Sequence, residues 1–224
     1  MKKSIAIFDI DNTIYGEHSF FAGVAFFVSK GVIPQTVHDG VMNELTKYKK
    51  KEQTYQDSAN KMLAILASGL AEKNYLEIKQ LAREFFEQEK AKFYPYFERI
   101  LPKLKETHEV WLVTANGQVA AEVIQEMFGL DGVMATVFGV ENGLFTGKVT
   151  RSLADGKDAC VNLVKGRPNS IGVGDSMNDL GIFENVVHPI CINPSEDLIK
   201  VAQERGWVIV TDKTIEAELM KILA

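Results

Sequence analysis

Asp9 and Asp11 stand two positions apart in Phe8-Asp9-Ile10-Asp11-Asn12-Thr13, directly after the apolar run Ile5–Phe8. In an extended strand residues i and i+2 share a face, so two carboxylates there repel and lose hydration. A divalent cation would compensate, and Mg²⁺ favours carboxylate oxygens. A strand that simply ends in a polar Asx turn is the alternative reading of the pair taken alone. Chemically, one carboxylate can attack phosphorus and form an aspartyl-phosphate. A second acid two residues on can protonate the leaving oxygen and later activate water.

Three further motifs extend that chemistry. Thr114-Ala115-Asn116 follows Trp111-Leu112-Val113 and precedes a helix at Gln118. A hydroxyl and backbone N–H groups at a helix N-terminus, from Thr114 and Ala115, suit a phosphoryl group. Lys157 opens another helix and would neutralise phosphate charge while holding the nucleophile. Gly172-Val173-Gly174-Asp175-Ser176-Met177-Asn178-Asp179 follows Ile171. Asp175 would add a third carboxylate to the cation, and Asp179 would hold the lysine or a metal-bound water from behind. Asn178 and Asp179 read equally as the start of the next helix, Thr114 as a helix cap and Lys157 as a solvated helix residue. Their joint occurrence, in this order, favours one site.

The elements that must position these residues alternate. Strand-like runs recur at Ile5–Phe8, Val110–Val113, Val133–Phe138, Ile171–Val173, Val186–Ile192 and Trp207–Val210, with helix-length segments such as 118–128, 158–164, 179–184 and 195–204 between them. That pattern predicts an α/β fold, a parallel sheet with helices on both faces, whose strand ends converge on one crevice. Asn142-Gly143 signals a β-hairpin. Residues 19–92 break the alternation with helical spacing and Lys/Glu faces; breaks at Gly31/Pro34, Lys51/Glu52 and Gly69 divide them into about four helices. The expected domains are a core of 1–16 and 94–224 and an α-helical cap, 17–93, inserted after the first strand as a candidate lid.

The 224 residues are 46% hydrophobic and 25% charged, with net charge −5. That is a globular composition without the basic surplus that non-specific nucleic-acid binding requires. Cys160 and Cys191 form no C-x-x-C pair and read as buried free thiols. The basic start Met1-Lys2-Lys3 is followed by too short an apolar run for a secretory signal, and no stretch is long enough to span a membrane, so a cytoplasmic location is expected.

With these motifs the chain resembles the haloacid dehalogenase (HAD) superfamily. The resemblance rests on Asp9-Ile10-Asp11-Asn12-Thr13, Val113-Thr114-Ala115-Asn116, Lys157 and the 172–179 segment. It is nearest to the phosphoserine-phosphatase-like branch, which carries a helical cap after the first motif; Leu144-Phe145-Thr146-Gly147, Ile192-Asn193-Pro194 and Gly206-Trp207 are similar to that branch as well. The resemblance implies a Rossmann-like core, Asp9 as nucleophile, Asp11 as general acid/base, and Thr114 and Lys157 on the phosphate. It implies Mg²⁺ held by the Asp9 carboxylate, the Asp11 backbone carbonyl and Asp175. The acid at position 11 favours phosphate esters over halides, whose departure needs no proton.

The expected activity is hydrolysis of a small phosphorylated metabolite. Transfer of the same phosphoryl group to an acceptor hydroxyl, and non-catalytic binding of a phosphate ligand, are the alternatives. The cap departs from phosphoserine phosphatases: Met62 stands near the position of their cap arginine and His18, beside Glu17, at that of their glutamate. Arg83, the only arginine of the cap, lies in another helix. Glu17, His18, Phe20 and Met62 are the candidate specificity residues, with cap-core packing as the other reading of Phe20 and Met62.

Overall fold

The computed structural model describes residues 3–224; Met1 and Lys2, and with them most of the basic start, lie outside the described residues. Strand β1 (Ser4–Phe8) is buried at every position, and its pleat divides the core. Ile5 and Ile7 pack on one face with Val113, Cys160, Val164 and Ile182. Ala6 and Phe8 pack on the other with Leu112, Phe97 and Ile124. A strand apolar on both faces belongs inside a helix-covered parallel sheet.

After β1 come α1 (Ser19–Ser29), α2 (Gln35–Lys49), α3 (Tyr55–Gly69), α4 (Tyr75–Gln88) and α5 (Pro95–Thr107). Local chemistry marks their ends. Gly31 and Lys51 take left-handed backbone conformations between helices. Thr54 Oγ1 accepts from Asp57 N (3.1 Å), and Asn74 Oδ1 accepts from Leu76 N (2.9 Å) and Glu77 N (3.2 Å), pairing amides that a helix start leaves unbonded. The predicted break at Gly69 falls on the last residue of α3.

The chain then runs β2 (His108–Gly117), α6 (Gln118–Phe128), β3 (Gly132–Glu141) and β4 (Leu144–Arg151). Next come α7 (Val161–Val164), β5 (Ile171–Gly174), α8 (Leu180–Phe183), β6 (His188–Ile192), α9 (Glu196–Arg205), β7 (Val208–Val210) and α10 (Ile215–Ile222). The predicted helices at 158–164 and 179–184 are each split, beginning as 3-10 turns at Asp158–Cys160 and Met177–Asp179. The predicted strand at 133–138 and the first arm of the hairpin are one ten-residue strand, β3. Asn142 (φ 51°) and Gly143 (φ 79°) make the turn into β4, the positive-φ pair a two-residue hairpin demands.

The sheet order is β4-β3-β2-β1-β5-β6-β7, with only β4 antiparallel among the described strands. The chain winds outward from β1 through β2 to β3 and β4, then restarts on its other side at β5. β1 and β5 therefore flank the topological switch point, where the loops diverge and leave a crevice. Phe8 pairs with Leu112 on one side and Val173 on the other. Asp9 N continues the ladder by donating to Val173 O (3.0 Å).

Helices α1–α4 share the larger apolar cluster through Phe27, Val37, Leu63, Leu66, Phe85 and Phe86. Helix α4 is tied to α6: Tyr75 Oη donates to Glu122 at 2.5 Å, Lys79 bonds Glu122 (2.9 Å) and Glu126 (2.8 Å), and Arg83 pairs with Glu126. Both cysteines are free and buried; burial first of all pushes the Cys160 thiol up to about 11 and the Cys191 thiol up to about 12. Among the described residues no helix is long and apolar enough to cross a membrane.

Candidate active site

The crevice at the switch point collects residues more than 160 positions apart in the chain. Asp9 leaves β1 and Asp175 leaves β5, next to each other because their strands pair. Lys157 comes from the loop between β4 and α7. Its Nζ lies 2.6 Å from Asp9 Oδ1 and 2.6 Å from Asp179 Oδ1, with the lysine fully buried. The second oxygen of Asp179 accepts from Asp175 N (3.1 Å) and Ser176 N (3.0 Å), closing a capping box with Ser176. Asp179 thus fixes both the lysine and the turn that carries Asp175. Asn178 Nδ2 donates to Leu153 O (3.3 Å) and Ala154 O (3.1 Å), holding the start of the lysine loop.

Two glycines make this packing possible. A Cβ on Gly174 would sit 2.4 Å from Asp179 Cγ, and one on Gly181 would sit 2.5 Å from Asp158 N and 2.8 Å from Lys157 C. The second contact is with backbone, which cannot swing aside as a side chain can.

Charge in the cluster is unbalanced. Burial pushes the Asp9 carboxyl up to about 7; Lys157 opposes this and Asp179 adds to it. Burial, then Asp179 and Asp9, push Asp175 up to about 8 against the charge of Lys157 and a hydrogen bond from Asn12. Burial alone would lower the Lys157 ammonium, but Asp179 and Asp9 outweigh it and raise the group well above its usual value. The asymmetry has a simple cause: the lysine answers to two carboxylates, whereas each carboxylate has only a share of one lysine. Oxygens of Asp9, Asp175 and Asp179 all lie within 4.8 Å of one another. A surplus of buried negative charge presented through hard oxygen donors fits Mg²⁺.

Asp11 stands outside that cluster. Its Oδ1 accepts from Ser19 N (2.9 Å) and Ser19 Oγ (2.6 Å), and Asn116 Nδ2 donates to Ser19 Oγ (2.9 Å). Burial raises the Asp11 carboxyl and the two Ser19 bonds oppose the rise. Thr114 is buried, and its Oγ1 accepts from Asn116 N (3.2 Å). Sequence reasoning put Thr114 and Ala115 at a helix N-terminus. They lie instead in the last residues of β2, where the pairing with β3 slips between Val113 and Gly117, and α6 begins only at Gln118. The extension arises because Thr136 Oγ1 donates to Ala115 O (2.7 Å), keeping this stretch on the sheet.

Above Asp11, Ala115 and Asn116 opens a chamber of about 390 Å³. Phe20 and Phe21 of α1, Tyr48 of α2, and Tyr55 and Met62 of α3 form much of its wall; His18 and Lys49 bring the remaining ionisable side chains. His18, Phe20 and Met62 therefore meet where sequence reasoning put them together. Glu17 does not join them: its carboxylate pairs with Lys92 (2.8 Å) outside the chamber lining. Ser19, Phe21, Tyr48 and Tyr55 went unnoticed in the sequence. Ser19 alone left a trace, as a hydroxyl residue at a helix start just after the acid pair.

A histidinol-phosphatase of Neisseria meningitidis serogroup C (strain 8013) is 25% identical over 233 residues, covering 94% of this chain and 100% of that one. A phosphoserine phosphatase of Mycobacterium tuberculosis is 32% identical over 108 residues, 45% of this chain; the match spans 35% of that longer relative. The crystal structure of a Bordetella pertussis Tohama I protein of unknown function superposes with a TM-score of 0.74 at 23% identity, over 94% of this chain and 99% of the other. A substrate-bound phosphoserine phosphatase superposes with a TM-score of 0.66 at 19% identity, over 99% and 98%. These two share its fold. The model of haloacid dehalogenase-like hydrolases matches residues 6–184, a stretch that runs from the strand before Asp9 to beyond Asp179; the chain belongs to that family.

Proposed function

We propose that the chain is a Mg²⁺-dependent phosphomonoester hydrolase acting on a small phosphorylated metabolite through an aspartyl-phosphate on Asp9. The observation that carries this reading is Lys157, buried between Asp9 and Asp179 at 2.6 Å from each, with Asp11 close by but held apart by Ser19. The similarity to proteins named histidinol-phosphatase and phosphoserine phosphatase supports the same chemistry.

In this reading Asp9 attacks phosphorus while Asp11 gives its proton to the leaving alcohol oxygen. Asp11, now ionised, takes a proton from the water that hydrolyses the aspartyl-phosphate. Lys157 and the Thr114–Ala115 segment hold the phosphoryl oxygens; phosphoryl transfer needs mainly such positioning and charge stabilisation. Mg²⁺ bound by the Asp9 carboxylate, the Asp11 carbonyl and Asp175 would screen the nucleophile from the phosphate's own charge. Asp179 and Asn178 orient the lysine and its loop. Residues 17–93 serve as a cap over a core of 1–16 and 94–224, and close the chamber over the leaving group.

Phosphate release from a panel of metabolite esters, including O-phosphoserine and histidinol phosphate, tests the proposal. Turnover should require Mg²⁺, stop with EDTA, and vanish in Asp9→Asn. Hydrolysis retained by purified Asp9→Asn would falsify the nucleophile assignment.

A further inference from the structure

We infer that the chamber above Asp11 selects a phosphomonoester whose alcohol is a ring-sized, uncharged, apolar body rather than a short charged one. This deepens the phosphatase reading above and rests on it. Three observations converge. The first is size: about 390 Å³ lies in the range that encloses a whole small ligand, and a three-carbon alcohol would leave most of it unfilled.

The second is the wall. Phe20 and Phe21 meet edge to face at 5.5 Å, and Tyr48 and Tyr55 do so at 5.9 Å. Met62 lies among them. Tyr48 and Tyr55 are 40% and 38% exposed, so aromatic surface is left open to the chamber and its mouth. Aromatic edges and faces with a thioether favour a flat apolar guest.

The third is the fate of nearby charges. A short amino-acid ester needs a cation for its carboxylate and an anion for its ammonium. Among the described residues the chamber's one carboxylate is Asp11. Glu17 is paired with Lys92. Glu44 is taken by Lys47 at 2.5 Å and by Gln53 at 3.0 Å. Arg83 is paired with Glu126 at the α4–α6 contact. Lys49 and His18 reach the lining, but both are exposed to solvent, where their charge is screened. A charged body would lose hydration here and find little in return.

The test compares kcat/KM of the full chain with Mg²⁺ on three esters, benzyl phosphate, O-phospho-L-serine and glycerol 1-phosphate, and on the acyl phosphate acetyl phosphate, with Asp9→Asn as blank. Acetyl phosphate is small and activated, and reports phosphoryl chemistry independently of chamber filling. Benzyl phosphate should exceed both short alcohol esters by at least about tenfold, mainly through KM. Phe21→Ala and Met62→Ala should each lower the benzyl-to-acetyl ratio by about tenfold, and Phe21→Leu should restore most of it. If either short ester matches benzyl phosphate while acetyl phosphate is hydrolysed, the chamber inference fails and the phosphatase reading stands. A ratio unchanged in both alanine variants overturns it too, whatever the absolute rates. Absence of Asp9-dependent hydrolysis of all four compounds removes both.

Discussion

Ser19 bonds one oxygen of Asp11 twice, through its amide at 2.9 Å and its hydroxyl at 2.6 Å. Both bonds land on Oδ1, so Oδ2 is the oxygen that would exchange protons in the proposed reaction. They favour the ionised acid, against the burial that raises it. Ser19→Ala removes one bond and takes from Asn116 the partner of its amide (2.9 Å). The Asp11 carboxyl should rise further, moving the limb of the pH–kcat profile that it controls to higher pH. We expect kcat to fall about tenfold, the size of one charge-assisted hydrogen bond. A profile superimposable on that of the unaltered enzyme would remove Ser19 from this role.

Lys157→Gln should cost both activity and stability. Asp9 and Asp179 would remain buried without their shared cation. Removing one partner of a buried ion pair destabilises by about 3–5 kcal/mol, readable as a shifted midpoint in urea. Phosphate release should fall by at least about a thousandfold, since charge stabilisation is usually the largest catalytic contribution. Lys157→Arg should not rescue, because the planar fork does not fit a slot shaped for a point charge. An arginine variant with ordinary turnover would contradict that geometry.

Metal removal should make stability depend on pH in a specific direction. In EDTA the Asp175 and Asp9 carboxyls lie at about 8 and 7 against an ordinary 3.8. The folded form therefore binds protons more tightly than the unfolded one, and stability falls as pH rises through these values. His108 sets the lower bound of the window. Burial lowers its pKa below the ordinary 6.5, so acidification below that point favours the unfolded chain. Between pH 6.5 and 8.5 the apo protein should melt at a lower temperature as pH increases. Mg²⁺ should abolish most of that slope by compensating the ionised carboxylates. Equal slopes with and without Mg²⁺ would separate these acids from metal binding.

Gly181→Ala places one methyl against the backbone of Lys157 and Asp158. Overpacking of this kind costs about 1–3 kcal/mol. A displacement of the lysine by about 1 Å should cost on the order of a hundredfold in turnover. Thermal melts and kcat measured together test this. A variant as stable and as active as the parent would show that the loop yields without moving the ammonium.

Much of this site is legible in the sequence because its anchors are local. Asp9 and Asp175 each follow an apolar run buried along its length, and a strand end needs only a handful of residues to announce itself. Helix breaks at Gly31 and Lys51 are equally local, since left-handed backbone is required there. The Thr114 segment misled because Thr136 draws Ala115 into the sheet, and that partner is 21 residues away. The chamber wall was illegible for the same reason. Tyr48 and Tyr55 come from separate helices, and nothing in either helix alone tells an inward-facing aromatic from a packed one.

The central place of β1 has a consequence for assembly. Residues 4–8 pair with residues 108–112 on one edge and, from residue 6, with residues 171–173 on the other. The strand that ends beside Asp9 therefore waits for both partners to be made, and the loop-closure entropy of these high-separation contacts must be met before they form. During synthesis the Asp9 segment leaves the ribosome before Val173 and gains its second neighbour only after Val173 emerges. A nascent chain halted before that point holds the first motif with an open edge and no Asp175 to face it. The second edge of β1 is thus completed only after the chain through Val173 has been made.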